Sequence, residues 1–144
     1  MKKSRKITRI ELLPIDHGDV TIIGIVSSDP HYKLSLRLNR KLNINLRSNT
    51  PVVIPGSDGS ENFTRFSDST ADSGHVFHLI SNRSDKNFLI KKLRNIDYLL
   101  VIPELRIHFE KATMIAGIRE LDTITAVFDI DHKSLNDRNF IYVI

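Results

Sequence analysis

The sequence predicts an α/β (α+β) fold: one domain with a mixed, partly antiparallel sheet of about six to seven strands and two main helices. Three observations carry that expectation. Residues 20–26 (V-T-I-I-G-I-V) and 124–130 (I-T-A-V-F-D-I) are short runs dense in β-branched residues, as strands are. Residues 96–102 (I-D-Y-L-L-V-I) are almost continuously apolar and stop at Pro103, the pattern of a strand covered on both faces. From Pro103 to Glu120 the apolar residues Leu105, Ile107, Phe109, Ala112, Ile115, Ala116 and Ile118 spread over a helical face. Strand, helix and strand in this order read as a βαβ unit, which predicts that 96–102 and 124–130 run parallel, joined by a right-handed crossover.

The other elements follow in chain order. Residues 7–13 read as an opening strand ended by Pro14 and the turn residues Asp16 to Gly18, able to form a hairpin with 20–26. Residues 29–46 support two periods. Tyr32, Leu34, Leu36 and Leu38 alternate as in a strand, whereas Leu34, Leu38 and Leu42 recur at the i+4 spacing of a helix. Asp29 as N-cap with Pro30 at the first helical position favours a helix over about 30–42, with Asn43 and Asn45 at its exit. Residues 51–54 are a short strand, 55–60 a turn by composition, and 63–66 and 76–80 two strands joined by the polar loop 67–74. Residues 81–85 are a loop and 88–94 supply one or two helical turns. The tail 140–144 is apolar to Ile144, so it should dock or pair.

Composition bounds the rest. At 144 residues and 40% hydrophobic content, the chain suits one domain over 7–144, preceded by a basic tail over 1–6. The absence of cysteine removes disulfides, thiolate zinc sites and cysteine nucleophiles together. Arg9 and Glu11 break the apolar residues after the basic start, so no signal-peptide core forms. No run approaches the roughly 18 apolar residues of a membrane span. The expectation is a cytoplasmic protein with no membrane partner. Net charge is +4, but Lys2, Lys3, Arg5, Lys6 and Arg9 account for more than all of it, leaving −1 on the remainder. A second basic concentration, Lys33, Arg37, Arg40, Lys41 and Arg47, contains no acid, while acids gather between Asp58 and Asp72.

Several constellations bear on chemistry. Asp129, Asp131 and His132 at a strand end offer two carboxylates and an imidazole to a divalent ion; the blander reading makes Asp131 a cap for the next segment and His132 a solvated residue. That second reading is preferred, and no metal or cofactor is expected. His75 and His78 lie three apart on a strand and so face opposite ways, one at the surface and one partly buried and hydrogen-bonded. The sequence G-S-D-G-S at 56–60 lacks the lysine of a phosphate loop. Ser27, Ser57 and Ser81 lack the sharp elbow of a serine nucleophile. A nucleic-acid surface would draw on Lys33, Arg37, Arg40 and Lys41 along the 30–42 helix, and on Lys86, Lys91, Lys92 and Arg94. Solvated helix faces look the same. Tyr32 and Phe63 are the few platforms for base stacking.

Residues 79–84 (L-I-S-N-R-S) followed by 88–100 (F-L-I-K-K-L-R-N-I-D-Y-L-L) resemble an uncharacterised bacterial family named for an I-P-E-x-x-V-D-Y motif. The segment 31–39 and the closing V-F-D-I at 127–130 are similar in kind, so the resemblance covers most of the chain. Two departures stand out: Lys91 and Lys92 follow Ile90 where the family has proline and glutamate, and a literal I-P-E occurs later, at Ile102, Pro103 and Glu104. The resemblance implies a small cytoplasmic α/β domain and carries over no activity. Asp97 and Tyr98, which carry the D-Y of the motif, should fix the entry and register of a buried strand. Asp97 would accept backbone N–H bonds, and Tyr98 would bury its ring with its hydroxyl satisfied.

The expected function is a non-enzymatic binding module for a protein or RNA partner, with Lys33, Arg37, Arg40, Lys41, Lys91, Lys92 and Arg94 as candidate contacts. A homo-oligomer is compatible with this. The alternative is an enzyme whose carboxylate-lined cleft, with or without a metal, is built from Asp97, Tyr98, Asp129 and Asp131.

Overall fold

The computed structural model describes residues 20–56, 59–69, 76–85, 87–103 and 110–143. The expected strand over 7–13, its hairpin, and the first part of the expected helix after Pro103 lie outside them. Six strands form one sheet: β1 (Val20–Ser27), β2 (Arg47–Gly56), β3 (Gly59–Asp68), β4 (Phe77–Ser81), β5 (Tyr98–Pro103) and β6 (Ile124–Ile130). They lie in the order β2-β3-β4-β5-β1-β6, and every ladder is antiparallel. Helices α1 (His31–Leu42), α2 (Lys111–Arg119) and the single turn α3 (His132–Leu135) complete the α+β fold, with 3₁₀ turns at Lys91–Leu93 and Arg138–Tyr142.

β5 is the central strand that its apolar run predicts, with Leu99, Leu100, Val101 and Ile102 all 0% exposed. Its βαβ relation to β6 needs one correction. The two strands do run in the same direction, but β1 lies between them and pairs antiparallel with each. Local spacing fixed the direction of the strands, whereas their neighbours were set by the β-branched run of β1, which needs cover on both faces and finds it only in the sheet interior.

α1 settles the two-period segment in favour of the helix. Leu34 and Leu38 are fully buried, whereas Tyr32 and Leu36, which a strand would have placed beside them, are 55% and 58% exposed. The cap differs from expectation by one residue. Pro30 (φ −67°, ψ 160°) is the N-cap, and its carbonyl accepts from the N–H groups of Lys33 and Leu34, both at 3.0 Å. Asp29 is free of the cap because its carboxylate is taken by Arg37 Nε at 2.9 Å. At the other end Asn43 turns left-handed (φ 56°), as a helix exit through asparagine requires. Asn39 then holds the outgoing chain, donating to the Leu46 carbonyl at 3.1 Å and accepting from its N–H at 2.6 Å.

The strands alternate cleanly between two cores. Ile23, Ile25, Leu79, Leu100, Ile102 and Val127 face α1 and α2, whose Leu34, Leu38, Ile115 and Ile118 cover them. Ile22, Val52, Phe63, Ile80, Leu99 and Val101 face a cover made mostly of irregular chain: Leu89, Ile90, Leu93, Ile96, Phe140 and Val143. The apolar C-terminal tail thus docks, as expected, but as a 3₁₀ turn. Gly24 belongs to this second face. A Cβ there would stand 3.1 Å from the Cδ1 atoms of both Ile96 and Ile130, so the glycine lets loop and edge strand close over β1. At the edges, β2 carries Pro51 and Pro55, and a β6 carbonyl, that of Val127, accepts from Arg119 Nη2 at 3.0 Å.

Candidate functional site

Asn82, Arg83, Asp97 and Tyr98 come together at one end of the sheet, and what they do is stitch. Asn82, wholly buried, donates from Nδ2 to the carbonyls of Leu93 (2.9 Å) and Ile96 (3.1 Å) and accepts at Oδ1 from the Ile90 N–H at 2.8 Å. Buried irregular chain needs such a partner for its peptide groups. Next to it, Arg83 bonds Asp97 Oδ1 at 2.6 Å, reaches the Arg94 carbonyl at 3.3 Å, and lies over the Phe88 ring, 4.9 Å from its centroid. Asp97 Oδ2 accepts from the Ser27 N–H at 2.9 Å, so this carboxylate ties β5 to the end of β1. The Tyr98 hydroxyl donates to the Asp29 carbonyl at 2.6 Å. Burial, and the carboxylates of Asp97 and Asp29, push that phenol up to about 12. Asp97 and Tyr98 therefore have the structural roles expected of them.

Asp129 and Asp131 do not join them in a cleft. Asp97 precedes Tyr98, which pairs with Ile25, while Asp131 follows Ile130, which pairs with Ile22. Asp97 and Asp131 therefore stand at opposite ends of β1, separated by roughly 17 Å along the strands at about 3.4 Å per residue. Asp129 is engaged by Lys111 Nζ at 2.9 Å. Asp131 is the N-cap of α3 without a side-chain cap bond, and the His132 ring packs on Phe140 at 5.7 Å. No group of three or more metal-ligating side chains occurs among the described residues.

The basic candidates divide in the same way. Arg37 pairs with Asp29 and Lys41 with Glu120, the latter at 2.5 Å, leaving Lys33 and Arg40 as the exposed cations of α1. Lys92 Nζ caps the Leu135 carbonyl at 2.6 Å. Lys91, Lys92 and Arg94 sit on the 3₁₀ turn over the second core, whereas α1 covers the first. The sheet lies between the two sets, so they do not form one phosphate-tracking surface. Lys86 lies outside the described residues.

A concavity lies elsewhere. Between the tip of the β2–β3 hairpin and the C-terminal 3₁₀ turn runs a groove of about 750 Å³. Ile54, Phe63, Phe88 and Tyr142 supply apolar wall, and Ile141 stands at its rim, 75% exposed. Asn139 seats the C-terminal turn by donating to the Leu89 carbonyl at 2.7 Å. The acids of the groove are occupied: Glu61 accepts from Ser84 and from Asn87, and Asp137 accepts from the Asn139 N–H at 2.9 Å. Its cations, Lys91 and Arg138, are exposed and make no salt bridge to a carboxylate among the described residues.

No family model, curated protein or solved structure matches this chain. The geometry is therefore the guide to function. Lys91 is among the candidates named from the sequence, whereas Arg138, Phe88 and Tyr142 are not, because the groove joins three distant segments. The apolar end of the chain was the available signal: Phe140 and Val143 bury, which leaves Ile141 and Tyr142 turned outward.

A second arrangement lies at the far end of β3. Its register with β4 sets Ser67 opposite His78, with Oγ 2.7 Å from Nδ1. His78 is half-buried and hydrogen-bonded, as one member of the His75 and His78 pair should be; His75 lies outside the described residues. Burial first, and Arg65 second, lower the His78 pKa from its ordinary value. No helix among the described residues is long and apolar enough to cross a membrane.

Proposed function

We propose that this protein is an interaction module that seats a segment of a protein partner, rich in acidic and apolar residues, in the groove beside its C-terminal turn. What supports the reading is the pairing pattern there: carboxylates bonded within the chain, two cations left available, and aromatic wall between them. Such a site offers apolar area for affinity and charge for selection. Of the two partner classes, RNA draws less support, because the α1 cations and those of the 90s loop lie on opposite sides of the sheet.

The test is selection from a displayed random-peptide library against the full chain. Wild type should enrich sequences that combine Asp or Glu with aromatic or aliphatic residues. The double variant Lys91→Glu/Arg138→Glu should weaken the selected peptides at least tenfold, whereas Lys33→Glu/Arg40→Glu on α1 should leave them within twofold. Absence of enrichment would refute the reading. So would RNA binding that survives the groove variant and falls roughly a thousandfold between 50 and 200 mM salt, the dependence expected of about six phosphate contacts.

A further inference from the structure

We propose that Ser67 and His78, held 2.7 Å apart across β3 and β4, act as a nucleophile and base that hydrolyse small carboxylic esters through an acyl-serine. This goes beyond the groove and uses none of its residues.

Three features of the surroundings carry it. First, the serine oxygen is held. Asn49 Oδ1 accepts from the Thr50 N–H at 2.8 Å, which turns Nδ2 to donate to Ser67 Oγ at 3.0 Å. With Asn49 donating to one lone pair of the oxygen, the hydroxyl proton is available to His78 Nδ1 in the tautomer that carries its own proton on Nε2. Second, the base stays neutral. The strand neighbours of His78 are Ser67 on β3 and Val101 on β5, and the charged group that acts on it is the Arg65 guanidinium. An imidazole kept uncharged near neutral pH is ready to take a proton. Third, there is room and a counter-charge. A cavity of about 230 Å³ reaches Ser67 and is lined also by Asn45, Arg47, Ser69 and Asp68, whose carboxylate accepts from the Asn45 N–H at 2.7 Å. Arg47 lies directly opposite Ser67 on β2. With the Asn45 amide oriented as its neighbours require, its Oδ1 accepts from Arg47 Nε and Nη2 at 3.1 and 3.2 Å, which holds the guanidinium at the rim.

The chemistry balances with water as the second substrate. Oγ attacks the ester carbonyl carbon while its proton passes to Nδ1, and the oxyanion that forms is stabilised by the positive charge of Arg47. The bond to the leaving oxygen then breaks, and that oxygen takes the proton from Nδ1 and departs as the alcohol. Water attacks the acyl carbon and gives a proton to Nδ1. The bond from carbon to Oγ breaks, Oγ recovers the proton, and a carboxylic acid leaves.

The experiment uses the full chain with 4-nitrophenyl acetate, reading nitrophenolate release and, after acid quench, the site of acetylation by peptide mass spectrometry. Wild type should release nitrophenolate above the buffer rate and carry acetyl on Ser67. Ser67→Ala should lose both, and His78→Gln should slow acetylation about a hundredfold, within the usual contribution of a positioned base. Ser67→Cys, nearly isosteric, should keep the folded spectrum and acylate through sulfur, which guards against a folding defect as the cause. Equal release by wild type and Ser67→Ala, or acetyl found on lysines but not on Ser67, would overturn the assignment.

Discussion

At the scale of single residues, Tyr98 shows how a side chain with motif-like prominence spends its chemistry on structure. Its hydroxyl closes a link from the start of β5 to the Asp29 carbonyl, just ahead of α1. Tyr98→Phe should cost about 1–2 kcal/mol, because the carbonyl is left without its donor. It should also alter the alkaline limb of stability. The unfolded phenol ionises near 10 and the folded one near 12, so the contribution is complete below pH 10 and is lost as pH rises toward 12. Chemical denaturation from pH 8 to 12 checks this: wild type should lose stability across that window more steeply than the phenylalanine variant. Parallel curves would remove Tyr98 as the cause. Asp97 and Tyr98 were legible as strand-entry residues because a polar pair heads an apolar run. Their partners were not, since Ser27 lies 70 residues away and the Asp29 carbonyl 69.

Among elements, α1 and β1 show what a local pattern does and does not encode. The i+4 leucines identified α1 because a helix buries Leu34 and Leu38, leaves Tyr32 and Leu36 exposed, and carries Arg37 to Asp29 and Lys41 to Glu120. Gly24 in β1 carried no such legible meaning, since the close approach it permits involves Ile96 from one segment and Ile130 from another. Gly24→Val should destabilise by about 1–3 kcal/mol through overpacking. Shortening the neighbour in Ile130→Val/Gly24→Val should return part of that loss, making the pair less destabilised than the sum of the single variants. Thermal melts of the four proteins measure the coupling, and strict additivity would mean that the clash lies elsewhere. The Ser67 and His78 pairing belongs to the same class of hidden information: each residue is ordinary in sequence, and only the register of β3 on β4 sets them face to face.

Over the whole molecule, the α+β class followed from alternating strand and helix patterns, and the burial of β5 from its unbroken apolar run. Strand order did not follow, because inserting β1 between β5 and β6 is a long-range choice made by complementary faces. The carboxylate cleft failed for the same reason: residues 97, 129 and 131 looked alike as strand-end acids until the common direction of β5 and β6 sent them to opposite ends. The order also decides where the sheet stops. Asp97 N–H donates to the Ile25 carbonyl, so the peptide groups of Ile25 face β5, and Val127, opposite Ile25 on β6, turns its own groups outward. Arg119 occupies that outward carbonyl. The donor that an incoming strand from a second chain would bring to this carbonyl has thus been supplied in advance by the protein's own helix. Arg119→Ala should free the carbonyl: sedimentation velocity across a concentration series should show more self-association than wild type, whereas identical profiles would place the barrier in the shape of β6 itself. Among the described strands β6 is the last on this side, and a guanidinium occupies its outward Val127 carbonyl.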